Sequence, residues 1–257
     1  MIVNGFIVVT SLLEWKAKQS LKTTDTVLMC LGLTRLSFNL SSALWLLPGV
    51  EAFFYVMWHF LNWSSLWFVS LLSVIYCVKI TNYKNCVFIY MKLNISKLLK
   101  WLILGNLVTS LVFALLFQFT WKELSQCWIN STESTLNSTT CVTNTFLVMS
   151  LFIYYLGSSL PFIMFCITAL LVIHSLLSHT QQIRSSGTGL ESAHLKAHFS
   201  VLKKMVFSFT LYIAYFLSDA FNFTQPLGIV TFGFAFSNLM PDFYTLVHSM
   251  FIIYSNT

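Results

Sequence analysis

Residues 58–79 read WHFLNWSSLWFVSLLSVIYCVK and indicate the fold class, because they carry no charged side chain before Lys79. At a helical rise of about 1.5 Å per residue, such a run crosses a hydrocarbon layer of about 30 Å. Polar or amphipathic residues recur in it near helical spacing, at Trp58, Asn62, Ser65 and Ser73. A polar stripe inside lipid should face protein or water, so this stretch predicts a membrane helix with one side turned into a bundle.

The composition places the whole chain in the membrane class. Of its 257 residues, 57% are hydrophobic and 9% are charged, far from the mixture found in soluble domains. The net charge of +6 does not indicate a nucleic-acid partner, because the basic residues are not clustered with aromatic side chains on a soluble face. The six cysteines include no CxxC pair, and no nucleophile motif or paired carboxylates occur. The sequence therefore predicts no metal, no cofactor and no enzyme activity.

Apolar runs repeat along the chain and predict seven membrane helices. The predicted helices cover about residues 1–13, 24–47, 58–78, 98–119, 146–177, 205–221 and 229–255. The predicted fold is an all-α membrane protein, a single domain over residues 1–257 in which seven helices form a bundle and helix one is shortened. Residues 1–13 are too few to span a bilayer, and the chain stops where helix seven reaches the cytosol. We therefore expect a chain that is truncated at both ends.

Basic residues predict the orientation. Twelve of the fourteen Lys and Arg residues fall in the three predicted inner segments, against Lys122 outside and Arg35 within helix two. Cytoplasmic loops carry such an excess, so the N-terminus is predicted to be extracellular and the C-terminus cytoplasmic. Only an odd number of crossings permits this arrangement, and seven fits.

The longest polar stretch, residues 120–145, lies on the predicted outer side. It contains acceptor triplets for N-glycosylation that begin at Asn130 and Asn137. It also contains Cys127 and Cys141, which could form a disulfide if the loop is extracellular. The sequence leaves open whether they do.

Arg35 lies about ten residues into helix two, near the bilayer centre. A charge at that depth costs about 2.5 to 3.5 kcal/mol on insertion scales, so Arg35 should face the bundle and have a partner. Asn4 and Ser249 should lie at a similar depth, which predicts a polar network, and Asp242 is a candidate counter-ion. The alternative is that Arg35 bonds carbonyl groups and Asn4, while Asp242 faces a ligand cavity.

Several short motifs occur in register along the chain. They are NGFIV from Asn4, LTR from Leu33, LLSVIY from Leu71, KITNY from Lys79, LPF from Leu160, HSLLSHT from His174, HLKA from His194, SF from Ser208 and HS from His248. Together they resemble the type 2 bitter taste receptors, a family of G-protein-coupled receptors. A vomeronasal, pheromone-type receptor and a small membrane transporter remain alternatives, although no internal repeat supports a transporter.

The resemblance implies a plasma-membrane receptor that binds small bitter compounds in an extracellular-side cavity. It implies activation of a heterotrimeric G protein of the gustducin-like or inhibitory class. The ligand-binding residues that it implies are Trp58, Asn62, Tyr215, Asp219 and Asn238. From the residues alone, Trp58 is also explained as an interfacial tryptophan, Asn62 as a helix-to-helix contact and Asp219 as a solvated helix end.

A second set of residues lines the predicted inner face, where an opening bundle would accept a helix of a G protein. These residues are Tyr76, Lys79, His179 and Lys196, with Lys203 and Lys204 beside them. The general excess of positive charge on the cytoplasmic side also explains the lysines, so the sequence does not separate topology from coupling here.

Overall fold

A computed structural model describes residues 2–44, 51–81, 86–131, 139–185, 203, 206–218 and 232–256. These parts of the chain contain seven helices and no strand, which confirms the predicted all-α class. The helices are α1 (Ile2–Lys18), α2 (Thr23–Leu44), α3 (Glu51–Ile80), α4 (Cys86–Ser131), α5 (Thr139–Ser185), α6 (Val206–Ser218) and α7 (Phe232–Asn256). Within the described residues, α3, α4 and α5 are long and apolar enough to cross a membrane, whereas the apolar segments of α6 and α7 are shorter.

Three helices extend well beyond the apolar runs from which they were predicted, and the first is α3, which begins at Glu51 rather than near residue 58. α4 begins at Cys86 rather than near residue 98 and continues to Ser131 rather than ending near residue 119. The added segments contain no proline or glycine, so nothing in them stops a helix that is already formed. α5 likewise starts at Thr139, inside the stretch that was predicted to be a polar loop. An apolar run therefore locates the part of a helix within lipid and not its ends.

α3 is the axis of the bundle. It packs against α2, α4 and α5, while α4 also packs against α5 and α1 packs against α2. In the most apolar part of α3, 72% of the residues are buried, against 22% in α4 and 28% in α5. α4 and α5 therefore turn much of their apolar surface outward, as helices in contact with lipid do.

Two glycines let neighbouring helices approach closely. A Cβ atom added at Gly32 of α2 would lie 3.0 Å from Cγ2 of Val8 in α1. A Cβ atom at Gly157 of α5 would lie 3.1 Å from the ring of Trp63 in α3. Small residues at helix contacts are typical of membrane bundles, where close packing replaces the hydrophobic effect between helices.

α1 ends in a polar turn beyond its predicted span. Gln19 has a φ of 53°, in the left-handed region, and its N–H donates to the carbonyl of Trp15 at 2.7 Å. Nζ of Lys18 lies 2.6 Å from Oε1 of Glu14. The hydrogen bond and charge of Lys18 lower the pKa of the Glu14 carboxyl, and Glu14 raises the pKa of Lys18 in return.

Candidate functional site

The polar side chains of α3 connect it to three different helices. The predicted stripe is buried inside the bundle, since Asn62, Ser65 and Ser73 are all nearly inaccessible to solvent. The three hydrogen bonds are Asn62 Nδ2 to the Tyr215 hydroxyl of α6 at 3.0 Å, Arg35 Nε of α2 to Ser65 Oγ at 3.1 Å, and the hydroxyls of Ser73 and Thr168 of α5 at 2.7 Å. Each of these residues therefore joins α3 to a separate neighbour.

Trp58 and Asn62 lie one turn apart on α3 and form the start of the candidate ligand site. Trp58 is half-buried, and its ring centroid lies 5.5 Å from that of Phe38 in α2. Asn62 is buried one turn deeper and donates to Tyr215. An aromatic wall above an amide is an arrangement that can hold a small apolar compound with one polar group.

Tyr215 extends this site from α3 to α7. It is 1% exposed, and its ring centroid lies 5.1 Å from that of Tyr244 in α7. Asn62, Tyr215 and Tyr244 thus connect α3, α6 and α7 by one hydrogen bond and one ring contact. Asp219 lies outside the described residues. Asn238 lies in α7, but its side chain does not belong to the described part of the structure. The roles of these two residues in the site stay predictions.

An aromatic cluster around His59 was not predicted. The His59 ring is 4% exposed and lies between Tyr55, Phe117 and Tyr154, with ring centroids 4.6, 4.6 and 6.1 Å away. Trp63 completes the cluster at 5.3 Å. Tyr55, His59 and Trp63 follow each other at intervals of four, so the helical period of α3 was the signal that indicated a shared face.

Arg35 is the centre of a second buried group, which we call the Arg35 network, formed with Ser65, Thr245, His248 and Ser249. Arg35 is 0% exposed, as its depth in helix two predicted. Its Nη1 donates to Ser249 Oγ at 2.7 Å and to the Thr245 carbonyl at 3.4 Å, and it lies 3.2 Å from Nδ1 of His248. The guanidinium therefore ties α2 to α3 and α7 through neutral groups.

Two predicted members of this network lie outside it. Asp242 is exposed on α7, and the groups that contact Arg35 do not include it. Ser249 follows Asp242 by about two turns, roughly 10 Å along the helix axis, which is farther than one guanidinium reaches. Asn4 is buried in α1, but it does not bond Arg35 either. Of the predicted network members, Ser249 bonds Arg35, and so does a backbone carbonyl group, as the alternative prediction included, whereas Asp242 and Asn4 do not.

The predicted inner-face residues are only partly described. Tyr76 is half-buried and Lys79 is exposed at the last turn of α3, and Lys203 is exposed as well. His179 lies in α5, but its side chain is outside the described part of the chain, and Lys196 and Lys204 are outside it altogether. The coupling surface stays a prediction.

The outer-loop residues also remain predictions. Cys127 and Asn130 lie in the last turns of α4 and Cys141 lies in the first turn of α5, with side chains outside the description. Asn137 is outside the described residues. The glycosylation of Asn130 and Asn137 and the pairing of the two cysteines are thus untested.

The fold and the site together define an all-α membrane protein whose buried polar residues centre on one enclosed helix. The chain belongs to the taste receptor proteins (TAS2R), since the model of that family matches residues 1–257. This membership separates the bitter taste receptor class from the pheromone-receptor and transporter alternatives. It is a receptor family and not a family of enzymes.

Curated relatives agree with this membership. The chain is 31% identical over 268 residues to Taste receptor type 2 member 4 of Pan troglodytes, covering 98% of this chain and 87% of that protein. It is 30% identical to Taste receptor type 2 member 4 of Homo sapiens with the same coverage. It is also 30% identical over 283 residues to member 41 of Pan troglodytes, covering 98% of this chain and 86% of the relative.

Proposed function

We propose that this chain acts at the plasma membrane, with its N-terminus outside, as a receptor for small and largely apolar bitter compounds. An agonist would enter from the extracellular side and contact Trp58 and Asn62. The receptor would then activate a heterotrimeric G protein of the gustducin-like or inhibitory class. The observation that carries the proposal is the hydrogen bond from Asn62 to Tyr215, one turn below the half-buried ring of Trp58.

The proposed mechanism begins at the Asn62 amide, which can bond Tyr215 and a ligand at the same time. Asn62 has one donor pair and one acceptor, and Nδ2 is engaged by the Tyr215 hydroxyl at 3.0 Å. A ligand that bonds Asn62 gives the amide a second partner. It thereby changes the relative free energies of the two arrangements of α3 and α6. A ligand shifts a conformational equilibrium only by its different affinity for the two states, and this contact supplies such a difference.

The second step transmits that change to the inner ends of the helices. α3 is bonded to α2 at Ser65 and to α5 at Ser73, so a shift of α3 acts on both neighbours. Tyr76 and Lys79 lie on the last turns of the same helix, where a helix of the G protein would dock in an opened bundle. Asp219 and Asn238 would complete the ligand cavity, and His179 and Lys196 the coupling surface.

The test is calcium release in cells that carry a promiscuous G protein, with a panel of bitter compounds. We expect at least one compound to give a concentration-dependent response that Trp58→Ala abolishes or weakens by about tenfold, since an aromatic contact contributes about 1 kcal/mol or more. Trp101→Ala is the matched control, because Trp101 is 72% exposed on α4. Silence to the whole panel at normal surface expression would count against the proposal, as would equal responses from the two variants.

A further inference from the structure

The Arg35 network contains a positive charge whose hydrogen-bond partners, among the described residues, carry no negative charge. The guanidinium is 0% exposed, and arginine stays protonated in proteins. Its hydrogen-bond partners are two serine hydroxyls, a backbone carbonyl and the ring of His248. Nδ1 of His248 accepts from Nη1 of Arg35, which requires the neutral imidazole with its proton on Nε2. Every partner is therefore neutral.

No carboxylate in the described residues balances this charge. Lys18 and Glu14 form an ion pair, but it lies at the polar end of α1 and does not involve Arg35. Asp242 on α7 is exposed and does not contact Arg35. An unpaired charge that is buried in a membrane bundle costs several kcal/mol, so a bundle that keeps one should also supply compensation.

Donors at the same place lack acceptors. Nη2 of Arg35 is buried and has no hydrogen-bond partner, and the buried hydroxyl of Tyr244 has none either. The two groups are adjacent, since Cζ of Arg35 lies 5.5 Å from the centre of the Tyr244 ring. The phenol oxygen and the guanidinium attract each other by Coulombic and hydrogen-bond interaction, but they do not reach the geometry of a full hydrogen bond, so the hydroxyl proton and an N–H of Nη2 still lack an acceptor. A guanidinium N–H can only donate, and a phenol O–H donates readily, so the missing partner is an acceptor.

We propose that a small monovalent anion, with the chemistry of chloride, binds between Arg35 and Tyr244 where α2, α3 and α7 meet. It accepts hydrogen bonds from Nη2 of Arg35 and from the Tyr244 hydroxyl, and it neutralises the guanidinium. A water molecule satisfies the two donors equally well but leaves the charge uncompensated, which is why the arrangement favours an anion. Tyr244 also contacts Tyr215 of the candidate ligand site, but the binding of an anion at Arg35 does not depend on the receptor's signalling.

The test is the thermal unfolding of the purified full chain in lipid nanodiscs, at constant ionic strength, as sodium gluconate is replaced by sodium chloride. A ligand that binds the folded state alone raises the melting temperature with its concentration. We expect the Tm to rise with chloride and with bromide, in proportion to the logarithm of the concentration once it exceeds the dissociation constant, and to stay flat in the much larger anion gluconate.

Two variants identify the donors. Arg35→Gln removes the charge and should abolish the chloride dependence. Tyr244→Phe keeps the ring against the guanidinium but removes the hydroxyl. It should raise the chloride concentration at which the Tm begins to rise, and so the fitted dissociation constant, by about tenfold, the typical effect of one hydrogen bond to a charged group. Tyr55→Phe is the matched control, since Tyr55 is half-buried in the cluster around His59, and it should leave the dependence unchanged.

Each outcome decides the proposal. A Tm that is identical in chloride and gluconate for the unchanged chain would overturn it and would assign the two donors to buried water. A Tyr244→Phe protein that keeps the full chloride dependence would overturn the assigned position. If Arg35→Gln does not fold, Tyr244→Phe decides alone, because it leaves the guanidinium and its ring contact in place.

Discussion

α3 and α4 are both long apolar helices, yet they have opposite surroundings. In the most apolar part of α3, 72% of the residues are buried, whereas 22% are buried in that of α4. α4 turns Trp101, Val108 and Leu115 outward, whereas α3 turns Asn62, Ser65 and Ser73 inward to bond three other helices. Apolar surface does not distinguish the inside of a membrane bundle from the outside, because lipid is as apolar as leucine. Buried polar and small residues make that distinction, and α3 carries them.

The strongest test of this contrast replaces one tryptophan on each helix with alanine. Trp63 on α3 is 0% exposed, whereas Trp101 on α4 is 72% exposed. Trp63→Ala should lower the free energy of unfolding by about 3 to 5 kcal/mol, because it leaves a large cavity in the bundle and removes the hydrogen bond to Ser158. Trp101→Ala should change it by less than about 0.5 kcal/mol. Reversible unfolding in mixed micelles measures both, and equal losses would break the contrast.

A pair of glycines gives the next largest effect. Gly157 of α5 lies where a Cβ atom meets the Trp63 ring at 3.1 Å, while a Cβ atom at Gly105 of α4 meets nothing within 4 Å. Gly157→Val should lower the free energy of unfolding by about 1 to 3 kcal/mol through overpacking.

Gly105→Val is the control and should be neutral or slightly stabilising, because glycine is the poorer helix former. The same unfolding experiment compares the two variants. A neutral Gly157→Val protein would mean that α3 and α5 separate more easily than their packing implies.

The hydrogen bond between Ser73 and Thr168 should contribute less. Its oxygen atoms are 2.7 Å apart, and hydrogen bonds between membrane helices average about 0.6 kcal/mol in double-mutant cycles. We expect that coupling energy from the cycle of Ser73→Ala and Thr168→Val. Ser96→Ala, at an exposed position of α4, should have no measurable effect. A cycle with zero coupling would show that this hydrogen bond contributes nothing to the contact between α3 and α5.

The smallest effect is expected at the water-exposed end of α1. Lys18 lowers the pKa of Glu14, so the contribution of the ion pair is fully present above the ordinary pKa of a glutamate and is lost as the pH falls through the lowered pKa. Lys18→Ala should return the Glu14 pKa toward its ordinary value in an NMR titration, with no detectable change in the unfolding midpoint, since exposed ion pairs contribute little. An unchanged Glu14 pKa would contradict the assignment, for which Lys16→Ala is the control.

Sequence reasoning succeeded where the cost of burying a polar group dictates its direction. Arg35 and Asn62 had to face protein, and both do. Their partners were harder to predict, because a partner depends on how the neighbouring helices are rotated and how far they are shifted along their axes. Asp242 was therefore chosen for its charge, whereas Thr245, His248 and Ser249 are the groups of α7 that hydrogen-bond Arg35, and of these Ser249 had been predicted.

The aromatic cluster shows a different limit. His59 is enclosed by rings from α3, α4 and α5, and the contributions of Phe117 and Tyr154 depend on tertiary packing. The sequence contains 25 phenylalanines and 10 tyrosines, so aromatic residues are too frequent to indicate which of them meet. The helical period places Tyr55, His59 and Trp63 on one face of α3 but does not say which helices cover that face.

The link between α3 and α6 is the central claim, and nucleotide exchange on a purified G protein tests it most directly. The receptor would be reconstituted with an agonist found in the calcium screen. Asn62→Ala and Tyr215→Phe should each raise the half-maximal agonist concentration by about tenfold or more, because each removes the same hydrogen bond. Asn94→Ala is the control, since Asn94 bonds only the Tyr90 carbonyl within α4. If Asn62→Ala and Tyr215→Phe both respond with unchanged potency, the α3–α6 contact has no part in activation.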